Sequence, residues 1–317
     1  MKKTLKLRKL VKDINLEILA GDKGLDYTVD VEMISRPGFE IMGNFEFSDP
    51  KRLMLMGVQE SNYLDSQDEK TKQNMVKGLF ELKPPAIIFP VNPEVEKVLN
   101  LFKEYGDKYS IPVLRSDLNT TPLNSKLYVY LHRELSKKIG VHGVLMDIYG
   151  TGTLIIGSSG IGKSETALEL IKRGHILVSD DLVEIYESTA GNLVGSAPKI
   201  LRRFLEIRGI GIVDVISMFG SGSYRDSKRI NMVVELEYWQ KDKEYDRLGI
   251  STETMKYFNT EIPKITIPVL PGRNIATLVE SAAMNEKLKT MGYNAAVTFT
   301  QNVSALAKGE IDDEWKE

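Results

Sequence analysis

The 317-residue chain predicts an α/β protein of two domains, with a P-loop nucleotide-binding domain in its second half. Three observations lead there. Between about 52 and 115, short β-rich runs alternate with amphipathic helical runs, the pattern of a parallel layer with helices packed on it. Residues 157–164 read Gly157-Ser158-Ser159-Gly160-Ile161-Gly162-Lys163-Ser164 and match G-x-x-x-x-G-K-[ST]. The length corresponds to about two domains of roughly 150 residues each, enough to bury substantial cores.

The start, MKKTLKLRKLVKD, is basic, but Lys6, Arg8, Lys9 and Lys12 interrupt any hydrophobic region, so it is not expected to act as a signal peptide. The first alternation then runs RLMLMG (strand), DEKTKQNMVKGLFEL (helix), AIIFP (strand), PEVEKVLNLFKEYG (helix) and PVLRS (strand). Turn formers cluster in RSDLNTTPLN at 115–124, and a helical run, SKLYVYLHRELSKK, follows at 125–138. The domain boundary falls near the end of that run, giving domains 1–134 and 135–317. The second half is richer in strands: VLMDIY, GTLIIG, HILVS, LVEIYE, INMVVELEY and KITIPV. It closes with a helix from about 274 to 290 and a charged tail.

Composition narrows the class. The net charge of −2 supplies no general attraction to nucleic acid or anionic membranes. No stretch approaches the roughly 18 apolar residues of a membrane helix. Cysteine is absent, which excludes disulfides, thiol catalysis and Cys-bound zinc and fits a reducing, cytoplasmic setting.

The glycine-rich stretch carries the chemistry. GTLII before it reads as a strand and KSETALELIKR after it as a helix ended by Gly174. Glycines permit torsions that let successive N–H groups converge on phosphate oxygens, and a helix N-terminus adds partial positive charge. Lys163 would neutralise β- and γ-phosphates, and Ser164 would offer its hydroxyl to Mg²⁺. The plain alternative, a glycine turn that happens to precede a helix, does not account for the whole motif.

Further on, HILVSDDLVEIYE puts Asp180 and Asp181 just after a strand. One carboxylate can serve a metal while the other accepts a proton from an attacking hydroxyl. A polar turn between strands would look the same in isolation. In LEIRGIGIVDV, residues 205–215, Glu206 and Arg208 alternate along a strand and so share a face. KEYDRLG carries Arg247, and IPVLPGRN is a Pro/Gly turn bearing Arg273. Of the three histidines, His132 and His175 read as structural, and His142 begins a strand beside a glycine.

Taken together, VHGVLMDIYG, GSSGIGKSETALEL, LVSDDLVEIY, LEIRGIGIVDV and IPVLPGRN resemble the HPr kinase/phosphorylase family of low-GC Gram-positive type, over nearly the whole chain and most strongly from about 135 to 290. The resemblance implies a catalytic domain like the nucleotide core of phosphoenolpyruvate carboxykinase. It implies ATP-dependent phosphorylation of a serine of HPr, the small phosphocarrier of the sugar phosphotransferase system. The reverse reaction would be phosphorolysis, with inorganic phosphate consumed and pyrophosphate released. It further implies a hexamer, fructose 1,6-bisphosphate as effector, and a place in carbon catabolite repression. It assigns no role to residues 1–134.

By resemblance, residues 157–164 bind ATP phosphates, Ser164 and Glu206 are the Mg²⁺ ligands, and Asp181 is the proton acceptor forward and donor in reverse. His142, Lys163 and Arg247 fall on active-site positions. The stretch 205–214 belongs to both reactions, and Pro268, Val269, Leu270, Pro271, Gly272 and Arg273 to dephosphorylation. The resemblance departs at Leu270, where the family pattern carries a basic residue. Two other readings use the same loop: a small-molecule or carboxykinase-like enzyme, and a non-catalytic nucleotide-gated module. The acceptor separates the first, and the Asp180–Asp181 pair argues against the second, because binding alone needs no proton acceptor.

Overall fold

The computed structural model describes residues 3–243, 245 and 253–308. It divides into two compact units, residues 1–137 and 138–317.

The first unit begins with β1 (Leu5–Lys6), α1 (Leu7–Ile14), β2 (Glu17–Ala20), β3 (Thr28–Val29), β4 (Ile34–Ser35) and α2 (Gly38–Ile41). The alternation follows: β5 (Leu53–Leu55), α3 (Val58–Asp65), α4 (Glu69–Glu81), β6 (Ile87–Phe89), α5 (Pro93–Tyr109), β7 (Val113–Arg115) and α6 (Thr120–Leu135). The sheet order is β2-β7-β6-β5-β4, with β4 to β7 parallel and β2 antiparallel at the edge. Every residue of β5 and β6 is buried, as expected of parallel strands covered on both faces. The period-two alternation sorts them: Leu53, Leu55, Ile88 and Leu114 pack with Leu10 and Leu127, while Met54, Ile87, Phe89 and Val113 pack with Phe80 and Phe102.

Two elements here differ from the sequence pattern. The run after β5 forms its own helix, α3, although its apolar content is slight. Its buried Glu60 is held by a two-pronged contact from Arg36 at 2.9 and 3.1 Å, a tertiary tie that no local pattern reports. Helix α6 begins at Thr120, inside the cluster of turn formers. Pro122 then lies in the first turn, where its missing N–H costs nothing, and the buried Leu123 anchors that turn.

The second unit runs β8 (Ile139–His142), β9 (Val144–Ile148), β10 (Thr151–Gly157), α7 (Lys163–Lys172), β11 (Ile176–Ser179), β12 (Leu182–Thr189), β13 (Asn192–Ser196), β14 (Phe204–Ile207), β15 (Gly211–Asp214) and α8 (Val215–Phe219). It continues with β16 (Ser227–Arg229), β17 (Met232–Tyr238), β18 (Glu253–Tyr257), β19 (Thr260–Val269), α9 (Ile275–Thr290) and α10 (Ala295–Ala307). A six-stranded mixed sheet, β11-β9-β10-β17-β19-β18, has the parallel trio β10-β17-β19 at its centre. A four-stranded antiparallel sheet, β16-β13-β12-β8, shares an apolar layer with it that includes Leu145, Leu154, Val183, Ile185 and Val233. The opposite face of the large sheet carries α7 and α9, through Ile155 and Val234 against Leu170, Ile171, Val279 and Ala283. His142 closes β8 rather than opening a strand.

Helix α10 was not foreseen from the sequence. None of its residues is buried, and Val297, Phe299, Val303 and Leu306 are each about half exposed. It starts at Asn294, whose side chain accepts from the Ala296 and Val297 N–H groups.

Leu170 is the fully buried anchor of α7 on the sheet. We predict that Leu170→Ala lowers the stability of the second unit by about 2–5 kcal/mol, the range for large-to-small core changes. Urea unfolding followed by near-UV circular dichroism measures it, and a loss under about 1 kcal/mol would mean that the helix is held mainly by other contacts.

Candidate phosphoryl-transfer site

β10 lies in the middle of the large sheet, parallel to β17, so its carboxyl end delivers residues 157–162 to the sheet's edge, where α7 begins. Gly157 has φ +150°, and a Cβ there would run into the Leu236 carbonyl of β17. Gly160 has φ +84°, and its Cβ would come within 2.8 Å of the Arg208 guanidinium. Gly157 needs glycine for conformation and for room, and Gly160 for its conformation. α7 ends in a Schellman turn: His175 N–H donates to the Leu170 carbonyl at 3.0 Å and Gly174 N–H to that of Ile171 at 2.9 Å, with Gly174 at φ +94°. The Lys163 ammonium curls over the loop and donates to the Gly157 and Ser158 carbonyls at 2.9 and 3.0 Å.

The two aspartates face opposite ways. Asp180 is 4% exposed. Its Oδ1 accepts from the Ser164 hydroxyl at 2.9 Å and its Oδ2 from the Glu206 N–H at 3.0 Å. Burial pushes the Asp180 carboxyl above the usual range, and those two donors and the Asp181 N–H pull against it. Asp181, with a side chain 67% exposed, has φ +66°. The Leu182 N–H reaches back over it to the Asp180 carbonyl at 2.8 Å. An i to i+2 hydrogen bond across a positive φ is a strained γ-turn, and it reverses the chain between the two carboxylates. The Asp181 carbonyl accepts from Gly143 N–H at 3.0 Å, and β8–β12 pairing sets His142 opposite Leu182. The His142 Nδ1 consequently stands 3.8 Å from Asp181 Oδ1.

The β14–β15 hairpin closes the group. Leu205 and Ile207 are buried, and Glu206 and Arg208 point the other way. Lys163, Ser164, Asp180, Asp181, Glu206 and Arg208 line one cavity of about 150 Å³ with glycines of the loop. Arg208 lies one residue beyond β14, in the hairpin turn. Its place over Gly160 could be sensed from the sequence only through its alternation with Glu206.

The remaining expected residues lie apart from this cavity or beyond the described residues. Pro268 and Val269 end β19, opposite Glu237 and Tyr238 of β17. Leu270 to Arg273 form a type II turn, with Pro271 at its second position, Gly272 at φ +84° and a 3.2 Å bond from Arg273 N–H to the Leu270 carbonyl. Arg273 lines a separate cavity of about 460 Å³, which shares only Gly162 and Glu165 with the first. Arg247 lies outside the described residues. His132 pairs with Glu32 at 2.6 Å, and the buried His175 contacts Glu280 at 2.9 Å beneath the edge of Tyr149.

Among the described residues no three acidic or histidine side chains converge closely enough to enclose a metal ion. The cavity instead offers scattered oxygens, the Ser164 hydroxyl with the Asp180, Asp181 and Glu206 carboxylates. That donor set fits Mg²⁺, which keeps several waters and binds through one or two protein oxygens plus substrate phosphates. The arrangement joins a phosphate cradle, a buried carboxylate and an exposed carboxylate beside an imidazole, which are the parts that phosphoryl transfer to a hydroxyl requires.

Two family models match the chain, described as HPr Serine kinase N terminus over residues 5–131 and HPr Serine kinase C-terminal domain over residues 133–303. The HPr kinase/phosphorylase of Bacillus subtilis is 45% identical over 305 residues, covering 96% of this chain and 97% of its own. That of Listeria monocytogenes is 45% identical over 306 residues, with the same coverage. That of Bacillus pumilus is 44% identical over 305 residues, again with 96% and 97% covered. The solved structure of the HPr(Ser) kinase/phosphatase from Coxiella burnetii is 34% identical and covers 51% of this chain and 98% of that one, at a TM-score of 0.47.

Asp180 has a definite signature in stability. Its folded pKa is raised, so its contribution to stability is fully present below the ordinary carboxylate value and lost as pH rises through the folded value. Asp180→Asn removes that titration. The difference in unfolding midpoint between variant and wild type should therefore move in the variant's favour as pH climbs from about 4 to about 7. A difference that stays flat would show that the carboxylate is not destabilised by its surroundings.

Proposed function

Because the chain belongs to the HPr kinase/phosphorylase family, a protein-serine kinase that also dephosphorylates HPr, we propose that the cavity between residues 157–164 and the β14–β15 hairpin is where both reactions occur. The observation that carries this reading is that Asp181 alone of the aspartate pair is turned outward, beside the phosphate loop.

In the forward direction ATP is the donor. The loop N–H groups and Lys163 hold its phosphates, and the Lys163 ammonium exchanges the Gly157 and Ser158 carbonyls for phosphate oxygens. Ser164 and Glu206 would hold Mg²⁺, which would supply charge neutralisation on the phosphates. Asp180 orients Ser164 and the Glu206 backbone. Asp181 accepts the proton of the HPr serine hydroxyl, with the His142 Nδ1 3.8 Å from its Oδ1. Arg208 and Arg247 stabilise charge on the group in flight. In reverse, the protonated Asp181 returns its proton to the serine oxygen while inorganic phosphate takes the phosphoryl group and leaves as pyrophosphate. One carboxyl serves both directions because the same serine oxygen gives up its proton in one and regains it in the other.

The loop 268–273 handles phosphate in the reverse direction, with Arg273 as its cation and Leu270 where a second one would strengthen the grip. The protein acts in the cytoplasm, in carbon catabolite repression, as a hexamer responsive to fructose 1,6-bisphosphate. The exposed apolar residues of α10 suit contact with a second copy.

Asp181→Asn should leave ATP affinity within a few-fold and reduce transfer in both directions by about 10²–10⁴, the usual worth of a general base. Equilibrium ATP binding and HPr phosphorylation measure the two effects. Wild-type transfer in that variant removes Asp181 from the chemistry and, with it, the siting of the reaction.

A second expectation concerns the loop. Arg273→Ala should slow pyrophosphate release more than HPr phosphorylation, and Leu270→Arg should lower the phosphate concentration needed for phosphorolysis by about 3- to 10-fold. Phosphate titrations of both variants decide it. Equal slowing of both directions by Arg273→Ala would take the loop out of phosphate handling.

A further inference from the structure

The first unit holds a cavity of its own, at the edge where its parallel strands begin. β5, β6 and β7 run in one direction, so the segments that lead into them gather at one end of the sheet. There Tyr27, Thr28, Asp30, Lys51, Lys83 and Tyr109 line a cavity of about 640 Å³, within the range of sites that take a small molecule. Asp30 is the one acid on the lining, so the lysines outnumber it two to one. Among the described residues neither Lys51 nor Lys83 is ion-paired, whereas Lys72, Lys77 and Lys97 on α4 and α5 each face a carboxylate at 3.0, 3.4 and 2.6 Å. The backbones of the two lysines are fixed. Lys51 follows Pro50, and its N–H donates to the Asp49 carboxylate at 3.1 Å. Lys83 N–H donates to the Phe80 carbonyl at 3.0 Å. Lys83 also has φ +55°, just past the end of α4 where glycine is the usual residue, and Pro84 restricts it further. Strain of that kind persists where the side chain has a use that glycine could not serve. Tyr109 is held by the rings of Phe80 and Tyr105, at 5.9 and 6.1 Å.

We propose that this cavity binds a phosphomonoester that carries a planar ring, a mononucleotide by size. Lys51 and Lys83 take the phosphate. Two ammonium groups on one cavity suit a phosphate dianion better than a single carboxylate, and the Thr28 hydroxyl is a further donor. Tyr27 and Tyr109 supply aromatic surface for the ring, and stacking on such surface tolerates many ring types. The two halves of the ligand need each other here. A bare phosphate would leave most of a 640 Å³ cavity unfilled, and a ring without phosphate would leave both ammonium groups uncompensated. The lining comes wholly from residues 4–111, so the site is separate from the transfer cavity of the second unit and does not depend on where transfer occurs. It gives the first unit a binding role.

The test titrates the full chain with adenosine 5′-monophosphate and guanosine 5′-monophosphate by calorimetry, and with adenosine and inorganic phosphate as the separate halves. At least one mononucleotide should bind with a Kd of about 0.1 mM or lower, and each half about tenfold more weakly or worse. Lys51→Gln and Lys83→Gly should each weaken mononucleotide binding by about tenfold. Lys83→Gly also separates binding from folding. Glycine accepts φ +55° without strain, so the thermal midpoint should fall by no more than about 2 °C while binding is lost. Lys163→Ala removes the cation of the phosphate loop and should leave this binding within about twofold, which tells the two sites apart. Failure of both mononucleotides to bind overturns the proposal. So does binding that Lys163→Ala abolishes and the Lys51 and Lys83 variants leave intact, which would place the nucleotide on the phosphate loop alone. Inorganic phosphate or adenosine binding as tightly as the mononucleotide overturns the class of ligand proposed.

Discussion

One buried carboxylate ties the candidate site together. Asp180 receives the Ser164 hydroxyl from the first turn of α7 and the Glu206 N–H from β14. Taking a carboxylate out of water is costly unless its oxygens are hydrogen-bonded, so the group tolerates its 4% exposure only while both donors are in place. The constraint runs both ways. The phosphate-loop helix and the hairpin that bears Glu206 and Arg208 are far apart in sequence, yet each is referred to the same two oxygens. A shift of either would leave a buried carboxylate oxygen without a partner. Loop and hairpin thus face each other across a cavity of about 150 Å³.

The neighbouring residue meets the opposite demand. Two adjacent carboxylates with like surroundings would share a role. The γ-turn at Asp181 separates them, sending one into the core and leaving the other in solvent beside His142. The backbone strain at φ +66° is held by bonds on both sides, Leu182 N–H to the Asp180 carbonyl and Gly143 N–H to the Asp181 carbonyl. Different environments for paired carboxyls are how one pair of identical residues comes to do two jobs. The hairpin repeats this division on its two faces, apolar and buried at Leu205 and Ile207, and charged and exposed at Glu206 and Arg208.

The turn that follows β19 stands somewhat apart. The Leu270–Arg273 turn is bound to α7 through Asn274, whose side-chain amide donates to Glu169 at 2.7 Å. Glu169 also accepts from Arg173 at 2.6 Å, and these two donors hold its carboxyl below the usual range. The turn is therefore referred to the last turns of the helix whose first turn carries Ser164. Both loops hang on one rigid rod while opening onto different cavities.

The sequence by itself determined whatever depends on local torsion and periodicity. The alternation from 52 to 115 was enough for parallel strands with helices packed on them, since period two and period 3.6 are set by backbone geometry. Gly157, Lys163 and Gly174 mark out a strand, a loop and a helix with its end, because glycines at positive φ leave their mark in the residue type. Helix α3 was hidden, because its buried Glu60 depends on Arg36 from elsewhere in the chain. Helix α10 was hidden as well, because none of its residues is buried and nothing in its surroundings announces it. Only the tertiary structure decided that Asp180 turns inward and Asp181 outward, that Arg208 stands over Gly160, and that Arg273 opens on a different cavity from Lys163. The reason is physical. Burial and hydrogen-bond partnership are properties of what surrounds a residue, and a run of letters carries only the residue's own chemistry and that of its nearest neighbours.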